Sequence, residues 1–274
     1  MSRPLSIHDY EILETLGEGS YGLVKLAVKK NDLTQTKVVI KYVVKSLILV
    51  DSWIRDRKLG ATIPAEIHIL NTLKSQPHEN IGEMLGYFED DDHYYIVMSL
   101  HGQIDLYDFI EANKVIPERE IKRMFRQVAL GVRHLHDRNI VHRDIKDENV
   151  VLDQFGECLK LIDFGSAAYL RPGKQYEACC VGTLEYAAPE ILHGHTYAGK
   201  PQDIWALGIL LFTLIYRENP FYDINEIMDY ERAIKWPYIL SKGSGDLMSR
   251  MLQRDVEKRI DIHGVLAHPW LMSR

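Results

Sequence analysis

Three cysteines in 274 residues, Cys158, Cys179 and Cys180, are too few and too badly spaced for a disulfide framework or a zinc site. So sparse a thiol content points to a reducing compartment, with the cytoplasm expected and the nucleus also open. Long apolar runs are missing as well. The longest uncharged one, Ile204 to Tyr216, is too short to span a bilayer and reads as a buried helix, and Met1 to Leu5 has no apolar signal region. There is no Lys/Arg block: 33 basic residues stand against 39 acidic ones, a net charge of −6, so neither nucleic acid nor an anionic membrane is an expected partner. Internal repeats, low-complexity tracts and Gly/Ser linkers are absent, and no tail or linker is set apart from the rest.

What remains is ordinary globular composition, 46% hydrophobic and 26% charged, in a chain long enough to bury a large core split into two lobes. One stretch organises it. His142-Arg143-Asp144-Ile145-Lys146-Asp147-Glu148-Asn149 is followed after a short apolar run by Asp163-Phe164-Gly165. The order resembles the catalytic loop of protein kinases, H-R-D-x-x-x-x-N, with their D-F-G metal-binding motif downstream. Phosphoryl transfer asks the protein mainly to position a nucleophile and neutralise phosphate charge. Asp144 can accept a hydrogen bond from the incoming hydroxyl, Asp163 and Asn149 carry the hard oxygens that Mg²⁺ prefers, and Lys146 is close enough to steady the γ-phosphate. Asp144 or Asn149 alone would more often be a turn or cap residue; the ordered set decides the reading.

Upstream, three antiparallel strands are expected over residues 10 to 43: Tyr10 to Leu16, Leu23 to Val28, and Lys37 to Val43 after a turn at Asn31-Asp32. Between the first two lies a G-x-G-x-x-G motif, Gly17, Gly19 and Gly22. A dinucleotide-binding fold carries the same motif but follows it with a helix, whereas here β-branched residues continue, as in a strand-turn-strand flap over ATP phosphates. Leu16 and Val24 border that flap, and Val24 should pack on the adenine. Strand alternation places Lys41 among Val39 and Val43, where a lysine needs an anion; the α/β-phosphates are assigned to it, with Glu66 on the next helix as its protein partner. Glu66 could instead be an exposed first-turn acid. The insert at 44–61 is long, and Trp53 to Arg57 suggests an extra structured piece near that helix. Strands Met84 to Phe88 and His93 to Ser99 follow. Met98 would close the back of the adenine pocket, the backbone of Ser99 to His101 would form a hinge, and Asp105 could reach the ribose or a basic substrate side chain, or serve as a helix N-cap.

Beyond this point the period becomes helical. Ile121, Met124, Phe125, Val128, Val132 and Leu135 form one apolar stripe leading to the catalytic loop. Short strands at Val150 to Leu152 and Leu159 to Ile162 deliver Asp163. Gly165 to Glu190 reads as an activation segment ending in Ala188-Pro189-Glu190. Asp203, at the start of the buried helix, should hydrogen-bond the catalytic-loop backbone, since a buried carboxylate without partners would be costly; Arg259 is a candidate ion-pair partner for Glu190.

Four stretches narrow the likeness: Trp53 to Gly60, the catalytic loop with Asp147 where many relatives have Pro, Leu161 to Leu170, and Glu218-Asn219-Pro220-Phe221. Together, over about residues 9 to 272, they resemble PAS-domain-containing serine/threonine kinases. That resemblance implies an α+β, two-lobed protein kinase fold over 9–272: an N-lobe (9–98) with an antiparallel five-stranded sheet and one helix, a hinge (99–102), and a mostly helical C-lobe (103–272), with ATP and Mg²⁺ between the lobes. It also implies transfer to Ser or Thr, for which Thr183 and Lys146 stand at matching positions, a nutrient-responsive role on metabolic enzymes, and a sensory PAS region outside this chain. A pseudokinase scaffold is the alternative, though Lys41, Asp144 and Asp163, which such proteins typically lose, are all present. Between Leu170 and Gly182 no Ser or Thr occurs, and Cys179 stands where a phosphothreonine would be expected, so activity without activation-loop phosphorylation is expected; Tyr176 could still be a target. Protein substrates with an Arg before the target hydroxyl could be read by Asp105, Asp108 and Glu148.

Overall fold

The computed structural model describes residues 5–19, 22–57, 59–170, 183–194 and 199–273. The chain forms two compact units, residues 1–77 with 82–101, and residues 78–81 with 102–274. In the first, the alternating β-branched runs form β1 (Tyr10–Gly19), β2 (Gly22–Lys29) and β3 (Lys37–Val44). They are joined by β6 (Met84–Glu89) and β7 (His93–Ser99) in a five-stranded sheet of order β1-β2-β3-β7-β6, every neighbouring pair antiparallel. Its period-2 pattern buries Ala27, Val38, Ile40 and Val97 with Tyr10, Phe88 and Tyr95, whose rings stack at 5.9 and 4.9 Å. Gly22 has φ +145°, and a Cβ there would lie 2.1 Å from the Tyr42 carbonyl oxygen, so the close strand crossing admits only glycine.

The insert after β3 is a hairpin. Two single turns lead into β4 (Trp53–Asp56), which pairs with β5 (Ala61–Pro64) from Trp53 opposite Pro64 to Asp56 opposite Ala61. Trp53 packs edge-on against Tyr94 at 6.2 Å. Pro64 ends β5 and sets the start of α1 (Ala65–Ser75), which buries Ile67, Ile69, Leu70 and Leu73. The expected extra piece beside this helix is therefore a β-ribbon that feeds directly into it.

The second unit is mostly helical. It opens with β8 (Ile104–Asp105), a short strand where the sequence suggested only a helix start, then α2 (Leu106–Ala112) and α3 (Glu118–His136). The α3 stripe is buried as expected: Ile121, Met124, Phe125, Val128, Val132 and Leu135. After β9 (Ile140–Val141), β10 (Val150–Leu152) pairs with both β8 and β11 (Leu159–Leu161), and β12 (Ala168–Tyr169) pairs back onto β9. Gly102 lies so close to β10 that a Cβ would meet the Leu152 carbonyl oxygen at 1.7 Å. Residues 78–81 join this unit through Asn80, whose side-chain amide donates to the Leu159 carbonyl (2.9 Å) and whose carbonyl accepts from the Leu161 N–H (2.9 Å). α4 (Pro189–Leu192) precedes α5 (Lys200–Tyr216), which is apolar all round and buried from Gln202 to Phe212. No helix among the described residues is long and apolar enough to cross a membrane. Shorter helices α6 (Ile224–Met228), α7 (Lys242–Met251), α8 (Ile262–Leu266) and α9 (Pro269–Met272) complete the unit.

Arg259 holds α4 in place. Its guanidinium meets both oxygens of Glu190 (2.7 and 2.8 Å), donates to the carbonyls of Gln253 and Pro201, and lies over the ring of Trp205 at 5.1 Å. Its side chain is wholly buried, so removing it strands a carboxylate and two carbonyls. Arg259→Ala is expected to destabilise the protein by roughly 3–5 kcal/mol, with Glu190→Gln milder because it keeps its shape. Urea unfolding should show a lower midpoint at unchanged slope; a midpoint equal to that of the native protein would make the pair no better than a surface bridge.

Candidate active site

In the first unit the antiparallel register gathers the expected nucleotide residues on one side of the sheet. Gly17 lies opposite Val24, Val24 opposite Lys41, and Lys41 opposite Ile96, while two residues along β3 Val39 lies opposite Met98. Directly opposed residues share a face, so Val24, Lys41, Val39 and Met98 point the same way. Gly19 pairs with Gly22 at the flap's turn, Leu16 falls at a register shift and is exposed, and a Cβ on Gly17 would meet only open space. Ser99 and His101 end the unit's chain, half-buried. Lys41 and Glu66 are both about 8% exposed, and the Lys41 ammonium donates to Glu66 Oε1 at 2.7 Å. Glu66 does sit in the first turn of α1, but it faces inward, where its charge is taken up by Lys41.

In the second unit the catalytic loop hangs from Asp203, which is fully buried in α5. The N–H groups of His142 and Arg143 donate to its two oxygens at 3.0 and 2.8 Å, and the His136 ring nitrogen is 2.9 Å away. Burial alone would raise this carboxyl's pKa. The His136 hydrogen bond, the charges of His136 and His142 and the His142 N–H outweigh burial and hold it below the usual carboxylate range. The anchoring fixes a strained bend: Arg143 has φ +67°, and Asp163 across the loop has φ +57°. His142 joins the two motifs, its ring nitrogen 3.0 Å from the Ile162 carbonyl and its edge on Phe164 at 5.1 Å.

The expected catalytic residues meet at Asp144. The Asn149 amide donates to the Asp144 carbonyl (2.8 Å) and to Oδ2 (3.0 Å); Oδ1 accepts both the Thr183 N–H and its hydroxyl, each at 3.1 Å. Lys146 pairs with Glu148 at 2.7 Å. Burial alone would depress its ammonium, but Glu148 and the charges of Asp144 and Asp163 push its pKa up, keeping it cationic. Asp163 Oδ1 accepts the Gly165 N–H at 3.0 Å. Asp105 caps α2, accepting the Asp108 N–H at 2.8 Å; burial chiefly, with the charges of Asp108, Asp147 and Glu148, raises its carboxyl. Among the described residues no three His, Cys, Asp or Glu side chains converge as a metal site. Asp163 and Asn149 nevertheless offer a carboxylate and an amide oxygen with no thiolate or imidazole, a donor set suited to a hard cation that keeps phosphate or water ligands.

Residues 10–271 match the family model for the protein kinase domain. The chain belongs to the protein kinase family. Its two-lobed α+β architecture, with a five-stranded sheet and helix in one lobe and a helical other lobe, is that of the family. Serine/threonine-protein kinase PSK2 of Saccharomyces cerevisiae is 50% identical over 96% of this chain and 24% of its own length. Serine/threonine-protein kinase ppk6 of Schizosaccharomyces pombe is 49% identical over 97% of this chain and 34% of its own. A mouse protein named PAS domain-containing serine/threonine-protein kinase is 40% identical over 96% of this chain and 18% of its own. This kinase chain thus spans about a third or less of each of these relatives, and the resemblance drawn from the insert, the catalytic loop and residues 161–170 and 218–221 agrees with their names.

Two participants escaped the sequence reading. Asp147 is buried and accepts the Tyr186 hydroxyl at 3.0 Å, and Asn80 pins residues 78–81; the unusual residue at 147 was the sole signal for either. Tyr176, Cys179, Cys180 and Gly182 lie outside the described residues. Cys158 is half-buried with its thiol raised, chiefly by burial.

A carboxyl held below its ordinary range contributes stability above that range and loses it as pH falls through its folded value. Asp203→Asn should therefore flatten the acid limb of the stability profile between about pH 5 and 3. Thermal melting across that interval tests this, and parallel slopes for mutant and native kinase would show that Asp203 does not govern the acid transition.

Proposed function

We propose that this kinase transfers the γ-phosphoryl group of ATP to Ser and Thr hydroxyls of protein substrates. The observation that carries this reading is the Thr183 hydroxyl on Asp144 Oδ1: an alcohol of the acceptor's own chemistry already donates to the carboxylate that would take the acceptor's proton. The relatives' names point the same way. Lys41, held by Glu66, would meet the α/β-phosphates; Gly17, Gly19 and Gly22 let backbone N–H groups approach them. Leu16, Val24, Met98 and the chain from Ser99 to His101 would receive the adenine, and Asp105 the ribose. Lys146 would steady the γ-phosphate while Asp144 orients the hydroxyl. Asp163 and Asn149 would hold Mg²⁺, whose charge when bound offsets that of the phosphates.

Activity without activation-loop phosphorylation belongs to the same proposal. Residues 171–181 contain no Ser or Thr, and the Arg143 guanidinium, the group that would answer a phosphate, donates through Nε to the Ser166 carbonyl at 2.5 Å. A PAS region elsewhere in the protein, a role in nutrient signalling on metabolic enzymes and a cytoplasmic location complete the reading; the name of the mouse relative supports the first of these.

The deciding assay is ³²P transfer from ATP·Mg²⁺ to an Arg-containing Ser/Thr peptide by phosphatase-treated enzyme. Transfer should persist, and Asp144→Asn should lower it by about 10²–10⁴-fold. No transfer from the native chain would favour a scaffold, and activity that vanishes on dephosphorylation would remove the phosphorylation-independent reading.

Substrate preference follows from charge. Burial chiefly, then the charges of Asp108, Asp147 and Glu148, raises the Asp105 carboxyl, so a guanidinium brought to Asp105, Asp108 and Glu148 would relieve repulsion as well as form charge-assisted bonds. Glu148→Ala should lower kcat/KM for a peptide with Arg before the target hydroxyl more than for its Ala counterpart. An equal loss on both would mean that Glu148 acts only through Lys146.

A further inference from the structure

Asp147 has no part in the phosphoryl-transfer machinery just described, yet it is a buried carboxylate beside the catalytic base. Its partner is Tyr186, which is partly buried against the α5 core and whose hydroxyl donates to Asp147 Oδ1 at 3.0 Å. Burial first, then the Asp147 charge and hydrogen bond, push the Tyr186 hydroxyl's pKa up, so the proton stays on the tyrosine and the bond is charge-assisted. Three residues before Asp147 is Asp144; three before Tyr186 is Thr183, which donates to Asp144. Both pairs have the same sequence separation of 39 residues.

The two loops are therefore in register: a pair of carboxylates spaced i, i+3 on the single turn at Asp147–Asn149 and the residues before it meets a pair of hydroxyls spaced i, i+3 on the turn at Leu184–Tyr186. A proline at 147 has no side-chain acceptor for the second rung. The far side of the same segment is braced by Gln202, which donates to the Tyr186 carbonyl (3.1 Å) and accepts the Ala188 N–H (2.8 Å), and by Asn219, which donates to the Glu185 carbonyl (3.2 Å).

We infer that Asp147 and Tyr186 are positioning residues: their hydrogen bond is a second rung that aligns residues 183–188, where the substrate would lie beside Thr183, with the catalytic Asp144. The inference rests on the protein-kinase reading proposed above and adds to it how the acceptor side is ordered in the absence of a Ser or Thr to phosphorylate within 171–181. Neither residue is among those assigned above to ATP or to the reacting groups. Their removal should loosen peptide binding and leave nucleotide binding alone.

The test compares native enzyme with Tyr186→Phe, Asp147→Asn, Asp147→Ala and the Tyr186→Phe/Asp147→Ala double variant, measuring kcat and the KM for peptide and for ATP separately. Two peptides are used, with Arg or with Ala before the target hydroxyl. Tyr186→Phe keeps the packed ring and changes no charge; it should raise peptide KM about five- to tenfold on both peptides, with ATP KM within about twofold of native, the size expected for one hydrogen bond to a carboxylate. Asp147→Ala should do the same, Asp147→Asn, still an acceptor, should recover most of the loss, and the double variant should be no worse than the worse single. Parallel rises in peptide and ATP KM, additive losses in the double variant, or an Asn variant no better than Ala would each overturn the inference. So would an Asp147 effect confined to the Arg peptide, which would make Asp147 a direct acidic contact. If Asp147→Ala fails to fold, Tyr186→Phe and Asp147→Asn still decide, because the first must lose peptide affinity and the second must largely keep it. Failure of the kinase reading itself would look different, as native enzyme transferring phosphate to neither peptide.

Discussion

Everything in the catalytic half depends on one buried carboxylate. Asp203 has no solvent to answer its charge, so it takes its hydrogen bonds from the N–H groups of His142 and Arg143 and from the His136 ring. These partners come from α3 and from the loop that follows it, and α5 carries the acceptor. The backbone at Arg143 is left-handed, a conformation that costs an L-residue of order 1–3 kcal/mol and persists only where the surroundings over-determine it. Asp203 supplies that determination. The strained bend turns Asp144 out beside Asn149 and Thr183 instead of letting the loop relax.

The same logic, a buried charge satisfied by a partner far away in sequence, recurs wherever the fold needs a fixed point. Lys41 and Glu66 are 25 residues apart, one on a strand and one in the first turn of α1. Arg259 and Glu190 are 69 apart. Replacing such pairs by apolar residues would often be neutral for stability, so their value lies in holding a particular geometry. Lys41 is kept extended and charged, and α4 is held where the activation segment ends.

Around Asp144 the electrostatics run in two directions. Lys146 is kept cationic by the acids about it, while burial first and then neighbouring acids raise the Asp105 carboxyl. The first arrangement suits a phosphate, the second a cationic side chain of a substrate. Two carboxylates of the catalytic loop, Asp144 and Asp147, reach across to Thr183 and Tyr186, so the acceptor segment is tied to the loop at two points without any added phosphate.

Much of this was written in the order of residues. The glycine flap, the strand lysine, the catalytic loop and its downstream aspartate are local patterns, and alternation with period 2 or 3.6 is enough to place Val24 and Lys41 on one face or the α3 stripe in the core. Asp203 and the Arg259 pair were legible for a different reason: a carboxylate opening an apolar helix must find donors. What the chain order could not show was how segments without a periodic signal are used. The insert's β-ribbon, the recruitment of Asn80 into the second unit and the Asp147 to Tyr186 bond all join residues whose neighbours in sequence give no hint of their neighbours in space. Local propensity acts over a few residues, whereas burial and hydrogen-bond satisfaction act over whatever tertiary packing brings within 3 Å. The sequence by itself determined the chemistry available to this kinase; the tertiary structure decided which of its charges are paired, and therefore which remain to meet a substrate.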